Sequence, residues 1–153
     1  MRLGDTLSPD DKLKYVRQAL IPGRILHLHC QFTTPPKDKF VVVVSIQPAL
    51  ILFVTNSEMS EWLKARQDLR DRQVTIHQMD HTYLRQDSFL NCTEAIRQME
   101  IGEIERQLIK DTNNIKDVIT TREREAILYA VKDCRTLSKK EIRWISEGLS
   151  ALS

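Results

Sequence analysis

The sequence predicts a β-rich α+β fold: a small barrel with an N-terminal helix and two C-terminal helices. Three observations carry the prediction. Phe40 to Ile46 and Ala49 to Val54 are consecutive apolar runs of strand length separated by Gln47-Pro48, the pattern of an antiparallel hairpin. Ser8-Pro9-Asp10-Asp11 combines an N-cap, a proline at the first helical position and acids in the first turn. Thr120-Thr121-Arg122-Glu123 and Ser138-Lys139-Lys140-Glu141 are both S/T-x-x-E capping boxes, in which each end satisfies an orphan helix donor.

The elements follow in order. Leu13, Val16 and Leu20 recur at spacings of three and four and give the first helix one apolar stripe, which Pro22-Gly23 ends. Arg24 to Cys30 reads as a first strand, and Thr33 to Lys39, with Pro35-Pro36, as a solvent loop. The central hairpin does not alternate, so both of its faces must be covered. Curling into a small barrel covers one side; a helix or a partner subunit covers the other. Asn56 to Arg72 is polar, and Trp62, Ala65 and Leu69 at helical spacing predict an amphipathic insertion outside the barrel. Val74 to Met79, Ser88 to Cys92 and Ala95 to Ile101 are the next strand candidates, and Gly102 reads as a break. Ile127, Ala130, Val131 and Cys134 form the stripe of one C-terminal helix, and Ile142, Ile145 and Leu149 that of the other.

At 153 residues the chain fits one domain over 1–153. Within it, 1–22 is the N-terminal helix and lead-in, 23–101 the barrel with a helical insertion near 57–70, and 102–153 the C-terminal helices. The N-terminal stretch is interrupted by charges and lacks the apolar region of a secretory signal. No segment approaches the roughly 20 apolar residues that span a bilayer. Three widely spaced cysteines, Cys30, Cys92 and Cys134, point to reduced thiols and hence to the cytoplasm.

Net charge is +2, from 23 Lys and Arg against 21 Asp and Glu, short of the basic excess of a dedicated nucleic-acid coat protein. Basic clusters near Lys12 to Arg24 and Arg122 to Arg143 read as solvated helix faces. With four glycines and neither a phosphate loop nor a Gly-x-Ser-x-Gly elbow, kinase, Rossmann and hydrolase readings find little support, and no cofactor is called for. His27 and His29, two apart in a strand, share a face. They suit substrate binding or acid–base chemistry near neutral pH better than metal ligation, because no CxxC or HExxH spacing accompanies them. Trp62 and Trp144 are the candidates for base stacking, at spacings that also mean packing.

The order of a strand ending near Cys30, a loop with Lys37 and Lys39, the hairpin KFVVVVSIQPALILFVTNSE and the later HTYLRQDSFLNCTEAI resembles the MazF/PemK-like family of toxin–antitoxin systems. That family also carries a later Asp-Ser-aromatic stretch, here Asp87-Ser88-Phe89. The resemblance implies an SH3-like barrel, a homodimer, an antitoxin protein as partner, and sequence-specific, metal-independent endoribonuclease activity on single-stranded RNA. The family's Arg-Pro pair corresponds to Lys39-Phe40, and its polar residue after the next strand to Thr55, with Asn56 and Ser57 adjacent. Lys39 would then stabilise phosphate charge and Thr55 or Ser57 would position the scissile group. Lys37, Asn56, His27 and His29 would bind substrate. Lysine supplies charge without arginine's bidentate fork, so a non-catalytic barrel module that binds a protein or a nucleic acid stands beside the ribonuclease. Read without the family, Lys39 is an edge charge that discourages sheet aggregation, and Thr55-Asn56-Ser57 a cap or turn.

Overall fold

Ser8 does open a helix: its hydroxyl accepts from the Asp11 amide, and α1 runs over Pro9–Ala19 with Val16 and Ala19 buried. In the computed structural model, which describes residues 7–151, the lead-in residues 1–6 lie outside the described part of the chain. Gly23 then turns the chain with φ 93°, a left-handed conformation that costs glycine little.

Six strands follow, interleaved with helices: β1 (Arg24–Cys30), β2 (Lys37–Ser45), β3 (Ile51–Asn56), α2 (Glu61–Lys64), α3 (Gln67–Arg70), β4 (Gln73–Ile76), β5 (Ser88–Asn91), α4 (Ile101–Lys110), β6 (Ile115–Val118), α5 (Thr121–Val131) and α6 (Lys139–Ser150). The strands form one antiparallel sheet in the order β4-β5-β3-β2-β1-β6. The sheet curls as a half-barrel with β4 and β6 at its edges. The hairpin pairs as expected, with Val41 opposite Val54, Val42 opposite Phe53 and Val43 opposite Leu52.

Both faces of the hairpin are covered, because alternate residues feed two separate cores. Val42, Val44, Ile51 and Phe53 join Ile127, Val131, Ile145 and Leu149 beneath α5 and α6. Val41, Val43 and Leu52 join Leu26, Leu28, Val16, Ile104 and Leu108 beneath α1 and α4. Both C-terminal capping boxes form reciprocally, at Thr120 with Glu123 and at Ser138 with Glu141. Helix α6 lies so close to β2 that a Cβ on Gly148 would stand 2.9 Å from the Val44 carbonyl oxygen. Gly148→Ala is therefore expected to cost about 1–3 kcal/mol by overpacking, read as a lowered midpoint in urea unfolding; an unchanged midpoint would mean α6 is free to shift.

Several expectations are corrected. The segment Thr33 to Lys39 is not all loop, because Lys37 to Lys39 already belong to β2, with Lys37 paired to Cys30 and Lys39 to Leu28. Ala95 to Ile101 is not a strand: only Ile96 bridges, to Leu52, and Gly102 sits inside the first turn of α4 instead of breaking the chain. The segment 102–153 is not purely helical, since it contains β6, which pairs with β1. The insertion is two four-residue helices, interrupted at Arg66 by extended backbone, so the buried residues are Leu63 and Leu69 while Trp62 is 56% exposed.

Candidate functional site

Strand alternation separates the residues that the sequence grouped together. Lys37 and Lys39 continue the Val41–Val43 face of β2, and Asn56 continues the Leu52–Val54 face of β3, so all three lie on the side of α1 and α4. There the Lys39 ammonium donates to the Asn56 side-chain oxygen at 2.9 Å beside a cavity of about 230 Å³. Burial lowers the Lys39 pKa below the ordinary lysine value, and neighbouring Lys37 lowers it further. Thr55 continues the Ile51–Phe53 face instead; it is buried, and its hydroxyl donates to the Phe40 carbonyl at 2.9 Å. The Lys39 ammonium is thus held by Asn56 and the Thr55 hydroxyl by the Phe40 carbonyl, while both residues also line a second, larger cavity.

The other face holds a larger cavity, of about 700 Å³, where β2 and β3 emerge from the core and the connection between β4 and β5 folds over them. His27, Lys37, Lys39, Thr55 and Ser57 line it, joined by Phe40, Tyr83 and Arg85. Three half-buried rings stand in series: His27 to Phe40 at 4.4 Å between centroids, and Phe40 to Tyr83 at 5.2 Å. The Lys116 ammonium lies 5.2 Å from the Tyr83 centroid, so a cation borders the far end of the series. Arg85 is exposed at the rim, and the Ser57 carbonyl accepts from the Gln86 amide at 3.2 Å, tying the rim to the end of β3. His29 shares the His27 face but points to Asp38, with Nδ1 2.8 Å from the carboxylate.

The connection that delivers Tyr83 and Arg85 is held from both ends. At its neck the Asp87 carboxylate accepts from the Gln78 amide at 2.9 Å and faces His77 at 3.3 Å; these two contacts lower the Asp87 pKa, with the backbone bond the stronger cause. Deeper in, His81 is 1% exposed, with Nδ1 2.8 Å from Asp117 and Nε2 2.8 Å from Glu123, itself fully buried. The Tyr83 hydroxyl donates to Asp117 at 2.7 Å. Burial, then Asp117, pushes the phenol well above its ordinary range, so it remains a donor.

Sequence reasoning named Phe40 only as the counterpart of the family's proline, and missed Tyr83 and Arg85 as members of one site with it and Lys116 as their neighbour. Phe40 was absorbed into an apolar run, and the others come from segments whose folding over β2 has no local signal. The stacking candidates named from the sequence go elsewhere: Trp62 lies under the Arg66 guanidinium at 3.9 Å, and Trp144 packs against the α5–α6 core. Among the described residues no group of three or more His, Cys, Asp or Glu is placed to hold a metal, and no helix is long and apolar enough to cross a membrane. Cys30, Cys92 and Cys134 are buried free thiols. Comparison with family models, curated proteins and solved structures finds no match for this chain.

Proposed function

We propose that the chain is a MazF/PemK-like protein on an SH3-like barrel that binds single-stranded RNA in the cavity bordered by His27, Phe40 and Tyr83. The observation that carries this reading is the ring series with its cations. Half-buried rings that border a cavity can accept any base by stacking on the part left open, and charges at the rim follow the phosphate backbone. Lys37, Lys39 and Arg85 in the lining, with Lys116 beside the Tyr83 ring, are the cations in place for that backbone. An antitoxin segment or a second copy of the chain would compete for the same mouth.

Binding is favoured over cleavage through the family's residues, because the Lys39 ammonium and the Thr55 hydroxyl are each committed to a hydrogen bond. A second reading, metal-independent cleavage, draws its support from His27, an imidazole that lines the same cavity as Lys39, Thr55 and Ser57. Cutting RNA this way requires a base for the 2′-hydroxyl and charge stabilisation at the phosphate; His27 and Arg85 are the candidates.

Fluorescence anisotropy with a labelled single-stranded RNA decides the matter. Tyr83→Ala is expected to weaken binding about tenfold, the size of one lost base-stacking contact. Arg85→Ala should weaken it and flatten its salt dependence. Equal affinity for wild type and both variants would refute the site. RNA recovered intact from the same mixtures supports binding alone, whereas cleavage abolished by His27→Ala supports the second reading.

A further inference from the structure

The segment 77–87 lies outside the sheet, yet it supplies Tyr83 and Arg85 to the cavity. Its deepest anchor is His81. Both ring nitrogens face carboxylates, Nδ1 that of Asp117 on β6 and Nε2 that of Glu123 on α5, each at 2.8 Å. A neutral imidazole has one donor and one acceptor nitrogen. With both carboxylates ionised, only the imidazolium satisfies the two together, because a neutral ring would set a nitrogen lone pair against an anionic oxygen.

Resting on the RNA-binding reading above, we propose that His81 is a positioning residue for that surface: as an imidazolium it clamps segment 77–87 to β6 and α5, and its deprotonation releases Tyr83 and weakens RNA binding. The link to the cavity is short. Asp117 takes both the His81 ring and the Tyr83 hydroxyl, at 2.8 and 2.7 Å, and Tyr83 then meets Phe40.

The remaining charged groups are arranged consistently. Glu123 also accepts the Thr120 amide at 2.8 Å, and the Arg122 guanidinium stands 3.7 Å from its other oxygen. The Lys116 ammonium stands 5.2 Å from the Tyr83 ring centroid, and the Tyr83 hydroxyl lies 3.4 Å from His81 Nδ1. Burial by itself would favour the neutral imidazole, but the hydrogen bonds to Glu123 and then Asp117 outweigh it and raise the His81 pKa above its ordinary value. The sign follows. The clamp is fully present below about pH 6.5, the ordinary histidine value, and is lost as pH rises through the raised folded-state value.

The test measures affinity for the same labelled RNA from pH 6 to pH 9 at constant ionic strength, together with NMR spectra of the free protein over the same range. Wild type should lose affinity about tenfold as pH rises, the magnitude of one stacking contact. Tyr83→Phe keeps the ring but removes its hold on Asp117, so it should bind at pH 6 as weakly as wild type does at pH 9, with a flattened profile. In the free protein the amide signals of Tyr83, Leu84 and Arg85 should move with the His81 ring titration. RNA affinity and amide signals that both stay flat while RNA binds would overturn the positioning role and leave the RNA reading standing. Amide signals that follow His81 while RNA binds at no pH would overturn the RNA reading, and with it the effect on affinity. A His81→Gln variant of native fold that retains wild-type affinity at pH 6 would also overturn the proposal.

Discussion

Glu123→Ala is expected to lower unfolding stability by about 3–5 kcal/mol, the range for stripping one partner from a buried ion pair. The carboxylate is fully buried and closes two structures at once. It accepts from His81 Nε2 at 2.8 Å and completes the capping box by accepting the Thr120 amide, also at 2.8 Å. Alanine leaves the Thr120 donor unsatisfied and the imidazole with one carboxylate. Glu123→Gln keeps an acceptor for either neighbour and should cost less. Urea unfolding at pH 6, where the clamp is complete, checks both variants; a Glu123→Ala loss within 1 kcal/mol would show that the trio is not formed.

Phe53→Ala should cost a similar amount, about 3–5 kcal/mol. Phe53 is 0% exposed in β3, opposite Val42, and belongs to the core beneath α5 and α6. Neighbours on a sheet strand and two helices cannot all collapse into the space it leaves, so a cavity term adds to the lost transfer energy. Trp62→Ala is the contrast. Trp62 is larger, but it is 56% exposed on a four-residue helix, and its loss should fall within about 0.5 kcal/mol. Equal losses at the two positions would contradict the placement of the insertion.

That contrast marks where the sequence is legible. The hairpin and the C-terminal helices are written locally, in unbroken valines and in Ser or Thr three residues before Glu, and the capping boxes form as the pattern implies. Helix α4 has no such signature: Glu100 at its N-cap makes no side-chain cap bond, and Gly102 imitates a stop. Strand β6 has four residues and exists because β1 offers an edge. The site was half legible for a related reason. Residues two apart on a strand share a face, which placed His27 with His29 correctly; neighbours face opposite ways, which is why Thr55 and Asn56 part company. Tyr83 is held beside Phe40 through the buried His81 and Glu123 and the exposed Asp117, whose positions span 81 to 123 in the sequence.

The claim that RNA is bound in the ring-lined cavity rather than in the smaller one beside Asn56 is tested most directly by titrating single-stranded RNA into isotopically labelled protein and following ring and amide signals. Shifts should concentrate on His27, Phe40, Tyr83 and Arg85, with Asn56, Asn91 and Glu94 of the smaller cavity little changed. Shifts confined to Asn56, Asn91 and Glu94, or none at all, would contradict it.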